Sequence, residues 1–136
     1  MLRYAYLGSA VLVAVTWVGS AVVAQTPGAP ADSLVLTPIA ATSGSGISNA
    51  ALINRDEIRV LRVDVAPGGV RNIHSHDDMQ YHLFIPTSRG MRFERESGGL
   101  MDVGAWQAEF VTGGTKHGFR NTSAATVTIV EIFVKK

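Results

Sequence analysis

From Ala51 onward, glycine or proline breaks the chain roughly every ten residues, and nowhere do apolar residues recur at helical spacing for three turns. Such a backbone can satisfy its N–H and C=O groups in short paired strands but not in long helices. Ile58 to Val65 alternates, with Leu61, Val63 and Val65 on one face and Arg62 and Asp64 on the other. Ala66-Pro67-Gly68-Gly69 then reads as a turn, and Met79 to Ile85 as a strand that stops at Pro86. Met91 to Glu96 and Leu100 to Val103 flank Ser97-Gly98-Gly99 as a hairpin. Gln107 to Val111 is a further strand before Thr112-Gly113-Gly114-Thr115, and Thr126 to Val134 makes a long terminal strand. Six or seven strands of this kind predict an all-β sandwich or jelly-roll barrel. Phe84, Phe93, Trp106, Phe110, Phe119 and Phe133 fall in or beside these strands, and most are expected in the core between the sheets.

The barrel is expected over residues 51–136, which is enough for one domain and too short for two. Residues 25–50 are rich in Pro, Ala, Ser and Gly and read as a linker or extended arm, with one short strand at 34–39. A homodimer formed through that arm or an edge strand would hide unpaired backbone groups. Residues 1–24 have a different character. A short positive start at Met1 to Arg3 leads into the apolar or small run Leu7 to Ala24, which ends in Val22-Val23-Ala24. This is the pattern of a cleaved signal peptide, so the protein is expected to be exported, periplasmic or secreted, with no membrane attachment after cleavage. An uncleaved anchor helix is the alternative reading.

There is no cysteine, so an exported protein of this sequence must be held by its core or by a bound metal. Without Arg3 the chain carries eleven basic and eleven acidic side chains, with no basic cluster. That balance gives no electrostatic argument for a nucleic-acid partner or an anionic membrane surface.

All four histidines fall in two segments, HSHDDMQYH and GGTKHGFRN. Imidazole is the commonest metal ligand because it offers a lone pair without burying a charge. In a strand, His74 and His76 would point to one face, and His117 from a distant strand would close a three-nitrogen tripod. Two unrelated polar loops are the alternative, but no histidine lies anywhere else in the chain.

The segments Gly68-x5-His74-x-His76-x3-Gln80 and Gly114-x2-His117-x3-Asn121 resemble the two motifs of the cupin family, over about residues 55 to 136. The resemblance implies a small double-stranded β-helix with a divalent transition metal (Fe, Zn, Mn, Ni or Cu) held by His74, His76 and His117. Gln80 stands where the family usually has glutamate, and implies a fourth, neutral ligand or a residue that merely lines the barrel. Thr112 and Trp106 depart from the proline and glycine usual at their places. His82 follows Gln80 by two residues and is read as a fourth nitrogen ligand, as an acid–base group beside the metal, or as part of the barrel wall. Asp77 and Asp78 are candidates to orient an imidazole, Arg71, Asn72 and Arg120 to line the mouth, and Asn121 to cap its turn. Two functions follow from this reading. One is an exported metal-dependent enzyme of isomerase, lyase or dioxygenase type acting on a small oxygenated molecule, with His82 as its acid–base residue. The other is a barrel that binds a ligand or metal without turnover.

Overall fold

The computed structural model describes residues 34–136, so the expected signal segment at 1–24 lies outside the described residues. The elements are β1 (Thr37–Pro38), a 3-10 turn (Ala41–Ser43), β2 (Gly44–Asn54), β3 (Ile58–His74), β4 (Met79–Pro86), β5 (Met91–Arg95), β6 (Leu100–Val103), β7 (Glu109–Thr112), β8 (His117–Asn121) and β9 (Val127–Lys135). The strands pair antiparallel in the order β6-β5-β8-β3-β9-β4-β7, with β2 on β3 and β1 on β2. The sheet is barrel-like and nearly closed. The expected all-β jelly-roll class therefore holds, and the hairpin at β5–β6 sits where the Ser-Gly-Gly break put it.

Two expectations need correction. Residues 44–50 are not linker but the first part of β2, hydrogen-bonded along β3, so the sheet starts well before residue 51. Their small, polar side chains conceal the strand because its binding comes from backbone ladder bonds, to which composition is blind. Residues 66–69 are not a turn between strands either. They form a bulge inside β3, in which Ala66 to Gly69 stand against the single Gly46 of β2. Gly68 supplies the left-handed φ of 72° that this kink needs.

The bulge decides the architecture. Before it, Ile58 to Val65 pair with β9; after it, Val70 to His74 pair with β8. One strand thus runs through both halves of the barrel. Between them lies the core, with Val65, Phe84, Met91, Phe93, Val111, Val127 and Ile129 buried and Phe119 packed among them. Of the six aromatics expected there, Trp106 is 71% exposed and Phe110 53% exposed. Trp106 takes φ 60°, the left-handed conformation that a glycine at this place would adopt freely.

Asn121 clamps the bulge. Its side-chain amide donates to the carbonyls of Val65 (2.9 Å), Ala66 (3.2 Å) and Ala125 (2.7 Å). Its oxygen accepts from Ser123 N–H at 2.9 Å and from the Ser123 hydroxyl at 2.7 Å. It is a turn cap, as expected, and also a tie across 56 residues of chain. Asn121→Ala should lower unfolding free energy by about 2–4 kcal/mol, because it leaves buried carbonyls without donors. Urea denaturation checks this; a loss below about 0.5 kcal/mol would mean the clamp is replaced by water.

Candidate metal centre

Strand register brings the histidines together at one end of the core. His74 ends β3 directly opposite His117, the first residue of β8. His82 on β4 pairs with Phe133 on β9. His76 lies in the turn between β3 and β4, where its carbonyl accepts the N–H of Met79 (3.2 Å) and of Gly114 (3.4 Å). The loop that carries His117 is drawn onto this turn by Gly113, whose N–H donates to the Gln80 carbonyl at 2.8 Å. A Cβ at Gly113 would collide with the Met79 carbonyl oxygen, so the approach requires glycine.

The rings form one cluster. Centroids lie 4.6 Å apart for His74 and His117, 4.8 Å for His74 and His76, 4.9 Å for His82 and His117, and 5.1 Å for His76 and His82. Phe93 stacks on His117 at 5.2 Å and Phe133 on His82 at 5.0 Å, which holds both ring planes. Nδ1 of His74 faces the Asn72 carbonyl at 2.8 Å, and Nδ1 of His117 faces the Thr115 carbonyl at 2.8 Å. A carbonyl can only accept, so Nδ1 carries the proton in both rings and Nε2 keeps its lone pair. Backbone carbonyls, not Asp77 or Asp78, orient the imidazoles; both aspartates are exposed.

These nitrogens fit a transition-metal ion. His74 Nε2 and His76 Nε2 are 3.2 Å apart, and the ligand atoms of His74, His76 and His117 all lie within 4.8 Å of one another. For metal–nitrogen bonds of about 2.0–2.1 Å, neighbouring ligand atoms stand roughly 2.9–3.4 Å apart, which the first pair meets and the whole set approaches. The Nε2 atoms of His82 and His117 are buried without any hydrogen-bond partner among the described residues. Orphaned lone pairs of this kind are costly unless something electropositive meets them. Burial pushes every one of the four imidazoles below its ordinary value, His74 to about 4 and His76 and His82 to about 3, with the neighbouring rings adding to it for His76 and His82. The cluster is therefore an uncharged set of donors at neutral pH.

Gln80 does not join it. Opposite β9, residues 79 and 81 of β4 pair with Lys135 and Val134, so residue 80 is an inserted bulge residue. The insertion reverses the in–out alternation, leaving Gln80 exposed while Met79 and His82 are buried. The expected fourth ligand is thus turned outward, and His82 is the side chain that faces the other rings. Tyr81 points to the outer surface, stacked on Phe110 at 5.0 Å. Arg120 is on the outside as well, 3.6 Å from Glu94, and Asn72 is exposed with its amide on the Thr42 carbonyl.

A cavity of about 180 Å³ opens beside His74 and His76, and its wall includes Arg59, Arg71, Asn49 and Glu131. Glu131 was not singled out by motif or histidine spacing. It is only 6% exposed, its Oε1 has no partner among the described residues, and burial raises its carboxyl to about 7 against the opposing pull of Arg71 and Arg59. Its signal in the sequence is its phase, because Val127, Ile129, Glu131 and Phe133 share the inward face of β9.

No protein-family model matches the sequence, and no curated protein matches it. Solved structures do resemble it in fold. The polyketide cyclase RemF from Streptomyces resistomycificus aligns with TM-score 0.69 at 17% identity, over 82% of this chain and 81% of that one. A predicted oxalate decarboxylase from Thermotoga maritima aligns with TM-score 0.70 at 17% identity, over 79% and 97%. An RmlC-like cupin from Shewanella frigidimarina aligns with TM-score 0.66 at 13% identity, over 82% and 93%.

The titration behaviour of the metal-free domain follows from the burial. The unfolded chain protonates its imidazoles near 6.5, whereas the folded chain resists this down to about 3–4. Between those values the unfolded state binds more protons, so stability should fall as the pH drops from about 6.5 toward 4. Glu131 acts in the opposite sense, since its folded carboxyl keeps a proton from 4.5 up to about 7. Glu131→Gln should therefore steepen the acid-side loss, measured as the urea midpoint of the metal-free protein against pH. A wild-type profile flat from pH 6.5 to 4 would contradict the buried, neutral cluster.

Proposed function

We propose that this chain, which has the cupin fold, is an exported metal-dependent enzyme that carries out Lewis-acid chemistry on a small oxygenated molecule. The observation that carries this reading is the convergence of four neutral imidazoles, His74 and His76 half-buried in a cavity wall and His82 and His117 buried with Nε2 atoms that have no partner among the described residues. His74, His76 and His117 would hold the ion, with His82 as a fourth nitrogen in the role that Gln80 cannot fill. Such an ion, when bound, polarises a substrate oxygen or lowers the pKa of water. With no carboxylate among these ligands, the donor set is uncharged, which favours Lewis-acid isomerase or lyase chemistry over oxygen chemistry on iron. Donor chemistry alone fits Fe, Zn, Mn, Ni and Cu alike.

The chain's own residues supply the rest. His82 was the acid–base residue expected from the motif, but it stands behind the triad against Phe133 and not in the cavity wall. Glu131 is the better proton carrier, because its carboxyl lines the cavity and is pushed up to about 7, poised to give or take a proton at Oε1 near neutral pH. Ile47, Leu61, Phe119 and Phe133 line the remaining wall. The names of two fold neighbours, a cyclase and a predicted decarboxylase, support an enzyme by analogy of fold only. Export rests on the charge and apolar pattern of residues 1–24, and a dimer through the arm or an edge strand remains part of the proposal.

Elemental analysis of untagged protein tests the centre: about one transition-metal ion per chain is expected. His117→Ala should weaken metal binding by more than about 100-fold, beyond the 10–100-fold typical of supporting residues. His82→Ala should weaken it too, whereas Gln80→Ala should retain full occupancy. Full occupancy in His117→Ala would sink the proposal. Glu131→Gln should keep the metal but reduce turnover about 10²–10⁴-fold. Metal retention with no turnover across a broad panel would instead make this a binding barrel.

A further inference from the structure

Two guanidinium groups reach the cavity with donors to spare. Arg59 lies over the Phe133 ring, 4.6 Å from its centroid, and its Nε is buried with no partner among the described residues. Arg71 gives one N–H to the Ser43 carbonyl at 2.9 Å, its only hydrogen bond among the described residues, out of five donors on the group. The one acid in the wall, Glu131, makes no hydrogen bond or ion pair to either arginine among the described residues. Two fixed cations therefore face at most one anion, and the neutral imidazoles contribute no balancing charge. A divalent ion would widen the excess by two. Both arginines are half-buried, and positive charge partly removed from water favours an anionic partner.

The cavity also limits what that anion can be. At about 180 Å³ it falls below the roughly 300–1,000 Å³ of pockets for drug-sized ligands. Its other wall is hydrocarbon, from Ile39, Ile47 and Leu61. An inorganic oxyanion would leave that wall unfilled, whereas a short acyl chain would cover it.

We propose that the cavity takes a short organic carboxylate, its charged end held by Arg59 and Arg71 and its chain lying on Ile39, Ile47 and Leu61. The reaction reading of the previous subsection is thereby given a substrate class. The arginine contacts, however, need no metal, and that separates the two proposals experimentally. The planar fork of each guanidinium matches a carboxylate in two-point contact, which lysine could not reproduce.

Calorimetric titration of the full-length protein, metal-free and zinc-loaded, with butyrate and 2-oxobutyrate decides the matter, with butyramide and inorganic phosphate as comparators. The acids should bind the metal-free protein at least about tenfold more tightly than butyramide, and phosphate should bind more weakly than either acid. Arg59→Gln and Arg71→Gln should each weaken acid binding about 10–100-fold, with Arg→Lys intermediate. Thermal unfolding identifies any variant that does not fold, in which case the acid-against-amide comparison on the wild type still decides. Equal affinity for acid and amide overturns the proposal, as does phosphate binding as tight as the acids, or acid binding unchanged in folded arginine variants. Protein that holds metal but ignores the acids refutes this inference alone. Protein that binds acids through its arginines but holds no metal refutes only the metal reading.

Discussion

At the point where β3 leaves β9 for β8, the single amide group of Asn121 reaches three backbone carbonyls. The bulge it secures lets one strand serve both halves of the barrel, because Val65 still pairs with Val127 while Val70 already pairs with Arg120. Val65 faces the first residue of β9, so past the kink β3 runs on along β8 and brings His74 opposite His117. The meeting of the histidines is thus tied to where a strand bends. Hydrophobic packing below it, around Phe84, Phe93 and Phe119, keeps the two halves at a fixed separation.

Above the core, the same burial that supports the fold makes the site chemically selective. Desolvation strips protons from the imidazoles and keeps one on Glu131. Both effects favour neutral forms. What burial cannot neutralise is guanidinium, which stays charged at any physiological pH. Arg59 and Arg71 therefore dominate the field inside a cavity whose other polar groups have been pushed toward neutrality.

The site was legible in part, and where it was not, the backbone is to blame. Three histidines were correctly grouped because nothing else in the chain competes for that role, and their neighbours, Asn72 and Thr115, act through carbonyls that every residue has. The placing of Gln80 failed because counting two residues per repeat assumes a regular strand, and β4 has an extra residue there. One inserted residue put Gln80 and His82, expected on one face, on opposite faces. Glu131 was readable from alternation alone, yet an isolated carboxylate among Val, Ile and Phe looks like an exposed position until the opposite strand is known to cover it. Residues 44–50 went unrecognised as strand since backbone ladder bonds leave no mark on side-chain type.

The spacing of glycine, proline and alternating apolar residues was enough to dictate an all-β domain, its hairpin at residues 91–103 and its terminal strand, because these features are local in the chain. Histidine placement likewise announced a cluster before any fold was known. Which side chains meet, and in what protonation state, came from contacts between residues as distant as Val65 and Asn121, or His74 and His117. Burial and register are properties of the assembled sheet. A bulge shifts both by one residue at a stroke, and so no count along a single strand can anticipate them.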